Sequence, residues 1–358
     1  MLETIDIVFR TVTVTTAVLL AGLLLSTGRR RQAALPGAFL SLAVAAFFVT
    51  SVPVSHAALG GWGVVLTALC VTKAAWFWLL ARALFQDHAR IRAWHLAIVG
   101  LIAAAGTWQQ TVFLDQYRAG SATVWETVAG FGFEGTLLGF VLLGLNEAWR
   151  GMATDLIEQR RHLRIVFMVA TGIYLSATLG IQTYNLVMDV STPVLASRVN
   201  MAVAAVACLA SAAFLLRFRS KSWLDPSPST AAVALSRVES AVLSDLDRLL
   251  DTDRIFLQEG LTIGALADRL GTGEHVLRRV INRGMGYRNF NDFLNAWRIR
   301  EACEELARPE QSRLPVLSIA MKVGYGSIGA FNRAFKSRIG MTPTDYRRSA
   351  VNGASHAR

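Results

Sequence analysis

"VGYGSIGAFNRAFKSRIGMTPTDYR", residues 323–347, reads as a glycine-marked turn, a capped amphipathic helix and a stop. Ser327 stands where an N-cap belongs, Phe331, Phe335 and Ile339 recur on one face, and Thr342 with Pro343 ends the run. The opposite face keeps Asn332, Arg333 and Lys336. Just upstream, "PVLSIAMKVG", 315–324, places Ile319, Ala320 and Val323 on the inner side of another short helix. Two short helices joined by a tight turn make a helix-turn-helix unit.

The pattern occurs again about fifty residues earlier in "LTIGALADRLGTGEHVLRRVINRGMG", 261–286. Ile263, Leu266, Ala267 and Leu270 form one inner face, "GTG" breaks the helix, and Val276, Leu277, Val280 and Ile281 form the next. The outward residues of the second helix include His275, Arg278, Arg279, Asn282 and Arg283, a polar and basic set able to bond base edges and phosphates. Between the units, "NFNDFLNAWRIREACEELA", 289–307, is long and amphipathic enough for a connecting helix. It would hold the two second helices at a fixed separation, suited to successive major-groove faces about 34 Å apart.

Working toward the N-terminus, residues 231–251 put Leu235, Val238, Val242, Leu246 and Leu249 on one helical face. That stripe either docks on the following domain or pairs between subunits. "LDPSPST", 224–230, reads as a linker. Before it the composition changes. The whole chain is 53% hydrophobic with a mean hydropathy of +0.41, and the apolar bias lies almost entirely in residues 1–224. Spanning about 30 Å of hydrocarbon takes roughly 20 helical residues. Seven stretches of suitable length run approximately 7–26, 36–55, 62–84, 93–114, 123–145, 165–187 and 193–216.

The net charge of +11 divides into 17 Lys/Arg against 10 Asp/Glu before residue 225, and 19 against 15 after it. Total charge alone is no signal for nucleic acid; position decides. Alternate connections carry thirteen Lys/Arg, among them Arg29, Arg82, Arg150, Arg160, Arg164 and Arg217, and the opposite set carries three: Arg10, Arg118 and Arg198. This asymmetry implies an N-terminus outside and residues 217 onward in the cytoplasm of a multi-pass inner-membrane protein. Within the apolar part, Lys73 and Glu134 fall at similar depth in spans three and five, and are expected to pair or to face a shared cavity. Tyr174, Thr178, Gln182, Asn185 and Asp189 form a polar stripe on span six. That stripe serves either helix packing or a ligand pocket.

Other chemistry is not indicated. The three cysteines, Cys70, Cys208 and Cys303, have neither Cys-x-x-Cys nor metal spacing, so no disulfide, metal or cofactor is expected. The six histidines form no H-E-x-x-H and no catalytic set is assembled, so no enzyme is expected. "GFGFEG", Gly130–Gly135, matches G-x-G-x-x-G but follows no strand. Gly135 and Gly139 in G-x-x-x-G are better explained by close helix packing.

Residues 256–347 resemble the DNA-binding domain of the AraC/XylS family of transcription regulators. In the second unit the resemblance is carried by Ile319, Ala320, Val323, Gly324, Tyr325, Ser327, Phe331, Arg333, Phe335, Lys336, Gly340, Thr342, Pro343, Tyr346 and Arg347. In the first unit Leu261, Leu266, Ala267, Leu277, Asn282, Gly286, Phe293, Arg298, Ile299 and Ala302 carry it. The resemblance implies a helical domain with two helix-turn-helix units on one linker helix, in an activator that helps recruit RNA polymerase. Carried over by position, base-edge contacts fall on His275, Arg278 and Arg279, and on Ile328, Gly329, Ala330 and Arg333, with Asn332 nearer the phosphates. Gly273 stands where the family often has a serine cap, and Ile328, Gly329 and Ala330 are poor hydrogen bonders, which shifts the expected weight of recognition to the first unit.

The expected architecture is thus all-α. It comprises a seven-helix transmembrane sensor over 1–216, a coupling segment over 217–255, an AraC-type domain over 256–350 and a disordered tail over 351–358. Its expected partners are promoter or operator DNA, RNA polymerase, the lipid bilayer and a small-molecule or membrane signal, with a homodimer as an option. The rival reading is a transporter- or channel-like bundle with an accessory helix-turn-helix domain, which should show inverted repeats or helices broken near the midplane.

Overall fold

The computed structural model describes residues 2–26, 32–50, 59–87, 89–113, 123–158, 160–173, 235–311 and 313–356, with isolated positions 116, 121, 202, 203 and 206. The chain forms two compact units: residues 1–152 with 163–227, and residues 153–162 with 228–358. Every described element is helical, apart from an isolated antiparallel bridge between Asp155 and Asn289.

In the first unit the helices are α1 (Leu2–Ser26), α2 (Ala34–Thr50), α3 (Gly61–Val71), α4 (Lys73–Phe85), α5 (Ala93–Trp108) and α6 (Val124–Trp149), followed by α7 over residues 160–173. Helix α1 packs on α2, α2 lies against α3 and α4, α4 packs on α6, and α3 on α5. Two helices, Ile7–Ser26 of α1 and α6, are long and apolar enough to cross a membrane, or three spans if α3 and α4 count as one bent span. Seven spans are therefore not matched among the described residues. The sixth and seventh stretches lie mostly outside them, as do Tyr174, Thr178, Gln182, Asn185, Asp189 and the linker 224–230.

Two expectations about this unit are corrected. Of the two alternatives, pairing or a shared cavity, Lys73 and Glu134 form no ion pair among the described residues. The expected third span breaks at Thr72, whose hydroxyl bonds back to Leu69 O at 2.7 Å, and α3 and α4 meet at 42°. Lys73 then opens α4, with its ammonium 4.7 Å over the Phe47 ring, while Glu134 accepts a 3.1 Å bond from Gln109. The close helix approach is also not at Gly135 or Gly139, whose Cβ positions are open among the described residues. Close approaches are instead at Gly106, where a Cβ would lie 2.7 Å from Val71 and from the Phe133 ring, and at Gly144, where it would lie 2.6 Å from the Phe77 ring.

The second unit contains α8 (Arg237–Asp251), α9 (Ile263–Arg269), α10 (Glu274–Arg279, passing into a π-helical turn Val280–Gly284), α11 (Phe290–Ala307), α12 (Val316–Lys322), α13 (Ile328–Ile339) and α14 (Pro343–His356). One core gathers Val242, Leu246 and Leu250 of α8 with Leu266, Leu277, Ile281, Phe290 and Phe293. Helix α8 thus docks on the first helix-turn-helix. Its buried face is rotated from the expected stripe, since Val238 is exposed and Leu250 is buried. A second core joins Ile299, Ala302 and Leu306 to Ile319, Val323, Phe331 and Phe335. Helix α14 runs on to His356, through much of the segment expected to be a disordered tail.

Helix α11 supplies both cores, and Arg298 sits between them. Its Nε donates to Phe256 O and its Nη2 to Gln258 O, both at 2.7 Å, and the guanidinium lies 5.5 Å from the Tyr325 ring centre. Burial lowers the Arg298 pKa from its ordinary value, but an arginine starts so high that it stays charged. Gly324 permits the close approach: at φ +89° its Cβ would lie 2.6 Å from Leu257 O. Replacing Arg298 with Ala strands the buried Phe256 carbonyl and removes a part-buried bond to Gln258 O. We expect it to destabilise this unit by about 3 kcal/mol, with Arg298→Lys failing to restore the loss because one ammonium cannot reproduce the fork. Amide hydrogen exchange of α11 in the full chain measures this.

Candidate nucleic-acid interface

Each helix-turn-helix presents its second helix, α10 or α13, but the two begin differently. Ser327 caps α13, its hydroxyl accepting from Ala330 N at 3.3 Å, and Gly340 closes the helix at φ +86°. Gly273 begins α10 with no side-chain cap, and after six α-helical residues the chain loosens into the π turn. Both helices are pinned from behind, α10 by Leu277, Val280 and Ile281, and α13 by Phe331 and Phe335, all fully buried.

On α13 the expected outward residues are outward. Asn332, Arg333 and Lys336 are exposed, and none of their side chains has a hydrogen bond or ion pair among the described residues. Ile328 is exposed in the first turn, and Gly329 and Ala330 are half-buried. The Gly329 Cβ position lies 3.5 Å from Arg333 Nη1, so the glycine leaves room for that arginine along the helix. Behind this surface, Tyr325 donates to Asn295 Oδ1 at 2.7 Å, and burial pushes its pKa up to about 12, keeping the hydroxyl a donor. Glu305 is held below the usual carboxylate range although burial opposes this, because Lys322 and Gln311 hydrogen-bond to it.

The first unit differs from expectation. His275 is exposed and Asn282 half-buried, the latter donating to Tyr287 O at 2.8 Å. Arg278, expected on the outer face, is 5% exposed. Its Nη1 donates to the carbonyls of Ala153 (3.1 Å) and Asp155 (2.8 Å), and its Nη2 to Glu274 Oε2 (2.7 Å). Arg279 is half-exposed and gives Nε to Glu239 Oε1 at 2.8 Å. Arg278, Arg279 and Asn282 of the first unit are thus engaged within the protein, while His275 and Arg283 are exposed and the basic set of the second unit is open. This reverses the weight expected from the residues of α13.

Glu239 was missed by the sequence reading, although Ser236-x-x-Glu239 is a capping-box spacing that marks it. Its Oε2 accepts from Ser236 N (2.9 Å), Ser236 Oγ accepts from Glu239 N (3.3 Å), and its Oε1 takes Arg279. One carboxylate therefore ties the start of α8 to α10.

The family model described as a helix-turn-helix domain matches residues 266–349. Regulatory protein SoxS of Escherichia coli strain K12 is 29% identical over 106 residues, 30% of this chain and 92% of its own length. SoxS of Salmonella typhimurium is 30% identical over 91 residues, 25% of this chain and 81% of its own. The probable transcription factor PqrA of Proteus vulgaris is 26% identical over 115 residues, 32% of this chain and 90% of its own. No solved structure matches. The paired units and these similarities define a DNA-binding transcription regulator. Through this domain the chain belongs to the AraC family of helix-turn-helix regulators.

Hydrogen bonds from Arg279 and then Ser236 hold the Glu239 carboxyl at about 2, below its ordinary 4.5. A depressed folded-state value means that the link is at full strength above about pH 4.5 and is lost as pH falls toward 2. Amide protection at the start of α8 is expected to fall through that window, and to lose this acid dependence in Glu239→Gln.

Proposed function

We propose that the protein is a membrane-attached one-component transcription regulator whose sequence-specific DNA binding is controlled by the apolar unit. The observation that carries the DNA-contact reading is the open, capped helix α13, with Asn332, Arg333 and Lys336 exposed and without protein partners among the described residues. Arg333 is assigned to base edges, Asn332 and Lys336 to phosphates, and Ile328, Gly329 and Ala330 to apolar contact with thymine methyl groups. In the first unit His275, Arg278, Arg279 and Asn282 take the corresponding roles. The eighteen residues of α11 measure about 27 Å, a length suited to two recognition helices on one face of a duplex.

The apolar unit supports the membrane part of this reading. α1 and α6 have the length for a span, and both expose large apolar side chains, such as Leu19 and Phe131. DNA contact requires residues 217 onward to be cytoplasmic, in agreement with the arginine asymmetry of the loops. Promoter DNA is the direct partner, RNA polymerase the downstream one, and a small molecule or a bilayer property the signal. A homodimer is compatible with this scheme. The break at Thr72, midway along the third expected span, is the one observation on the side of a transport-like bundle.

The test is binding of the full chain in nanodiscs to duplexes enriched from a randomised pool, across a salt series. Arg333→Ala is expected to cost about 1–3 kcal/mol and to relax preference at one base position. Lys336→Ala should weaken every duplex alike and lower the salt slope by about one. Unchanged enrichment and affinity in the Arg279→Ala/Arg333→Ala double variant would overturn the DNA reading.

A further inference from the structure

Residues 153–162 lie between α6 and α7 in the chain, more than a hundred residues before the first helix-turn-helix, yet they belong to its unit. The segment has its own turn. Asp155 accepts from Ile157 N at 3.1 Å through Oδ1, and its Oδ2 pairs with Arg160 Nε at 2.5 Å, both side chains being buried. With Asp155 so occupied, the backbone on either side is free to bond outward.

It bonds to the first helix-turn-helix. Leu156 N donates to Arg288 O at 3.0 Å, and Phe290 N donates to Thr154 O at 2.9 Å, the two bonds that flank the Asp155–Asn289 bridge. Phe290 is the first residue of α11, so Thr154 O satisfies one of that helix's orphan donors. Asn289 Nδ2 reaches Thr154 Oγ1 at 3.3 Å, and the Leu156 side chain enters the core formed by α8, α9, α10 and α11. The carbonyls of Ala153 and Asp155 take up Arg278.

The similarity to known regulators does not extend to this strap. SoxS of Escherichia coli is matched over 92% of its length by 106 residues. A stretch of that length around residues 266–349 stops well short of residue 162. The strap is an addition, and its bonds occupy one of the arginines on the basic face.

We propose that residues 153–157 are a tethered competitor for the first recognition helix: docked, they hold Arg278 away from DNA, and undocked, they release it. This rests on the reading above that α10 meets DNA. The surface they occupy, made of Arg278, the backbone edge 288–290 and the recess that takes Leu156, is a docking site for an extended segment with an apolar residue following two outward carbonyls. The strap joins α6 to α7, and Arg164 in α7 is itself bonded to Phe85 O (2.7 Å) and Ala148 O (2.9 Å), at the ends of α4 and α6. A change at those helix ends is therefore what would pull the strap off.

The experiment uses the full chain in nanodiscs, its three cysteines replaced by serine, carrying Thr154→Cys and Asn289→Cys. The probe is a duplex enriched from a randomised pool on the reduced chain. Oxidation should weaken binding roughly tenfold, with recovery on reduction, and saturating duplex should slow formation of the cross-link. Independently, Leu156→Asp in the native chain should tighten binding roughly tenfold, as expected if the undocked state is about a tenth of the population. Equal affinity of the oxidised and reduced forms, cross-linking at the same rate with duplex bound, or a pair that does not cross-link at all would overturn the competition while leaving the DNA reader intact. If neither the reduced chain nor Leu156→Asp enriches any duplex, the DNA-binding assignment of the chain fails, and the competition with it.

Discussion

Both helix-turn-helix units depend on a single helix. A pair of helices of seven and six residues, or of seven and twelve, cannot bury a core of its own, so each unit must lean on something larger. Helix α11 is that support: Phe290, Phe293 and Leu294 serve one core, and Ile299, Ala302 and Leu306 the other. Arg298 at the junction binds the turn before α9 through two carbonyls while lying against Tyr325 of the second unit. The spacing of α10 and α13 is thereby a property of one rod, and any duplex read by both must match it.

The two reading helices are nonetheless in different states. Helix α13 is capped at both ends and presents cations with no protein partner among the described residues. Helix α10 lacks a cap, is short, and has Arg278 and Arg279 bonded to the strap and to α8. Moving Arg278 to a phosphate or a guanine edge means giving up three charge-assisted bonds. Moving Arg333 costs only side-chain entropy.

Charge counting and contact geometry also give different meanings to the same arginines. Arg160 and Arg164 contribute to the asymmetry that orients the apolar part, yet neither behaves as a solvated loop charge. Arg160 is buried against Asp155, and Arg164 is buried on helix-end carbonyls, where Gly151 makes room for it: a Cβ there would lie 2.7 Å from Nη2. The loop's basic character is therefore structural as well as topological.

What the sequence determined by itself is whatever local periodicity and capping encode. The two short helix pairs, the Ser327 cap, the Phe331 and Phe335 anchors and the exposure of Arg333 all follow from residues within one or two turns of each other. The Ser236–Glu239 capping box was equally legible, since its signal spans four residues. Tertiary structure decided what depends on partners distant in the chain. Nothing near Arg278 marks it for carbonyls more than 120 residues upstream, nothing near Lys73 announces a break at Thr72, and the face of α8 turned inward only once Leu250 had a core to enter. A side chain's direction on a short amphipathic helix is set by periodicity, but its occupant is set by whichever segment the fold brings within about 3 Å.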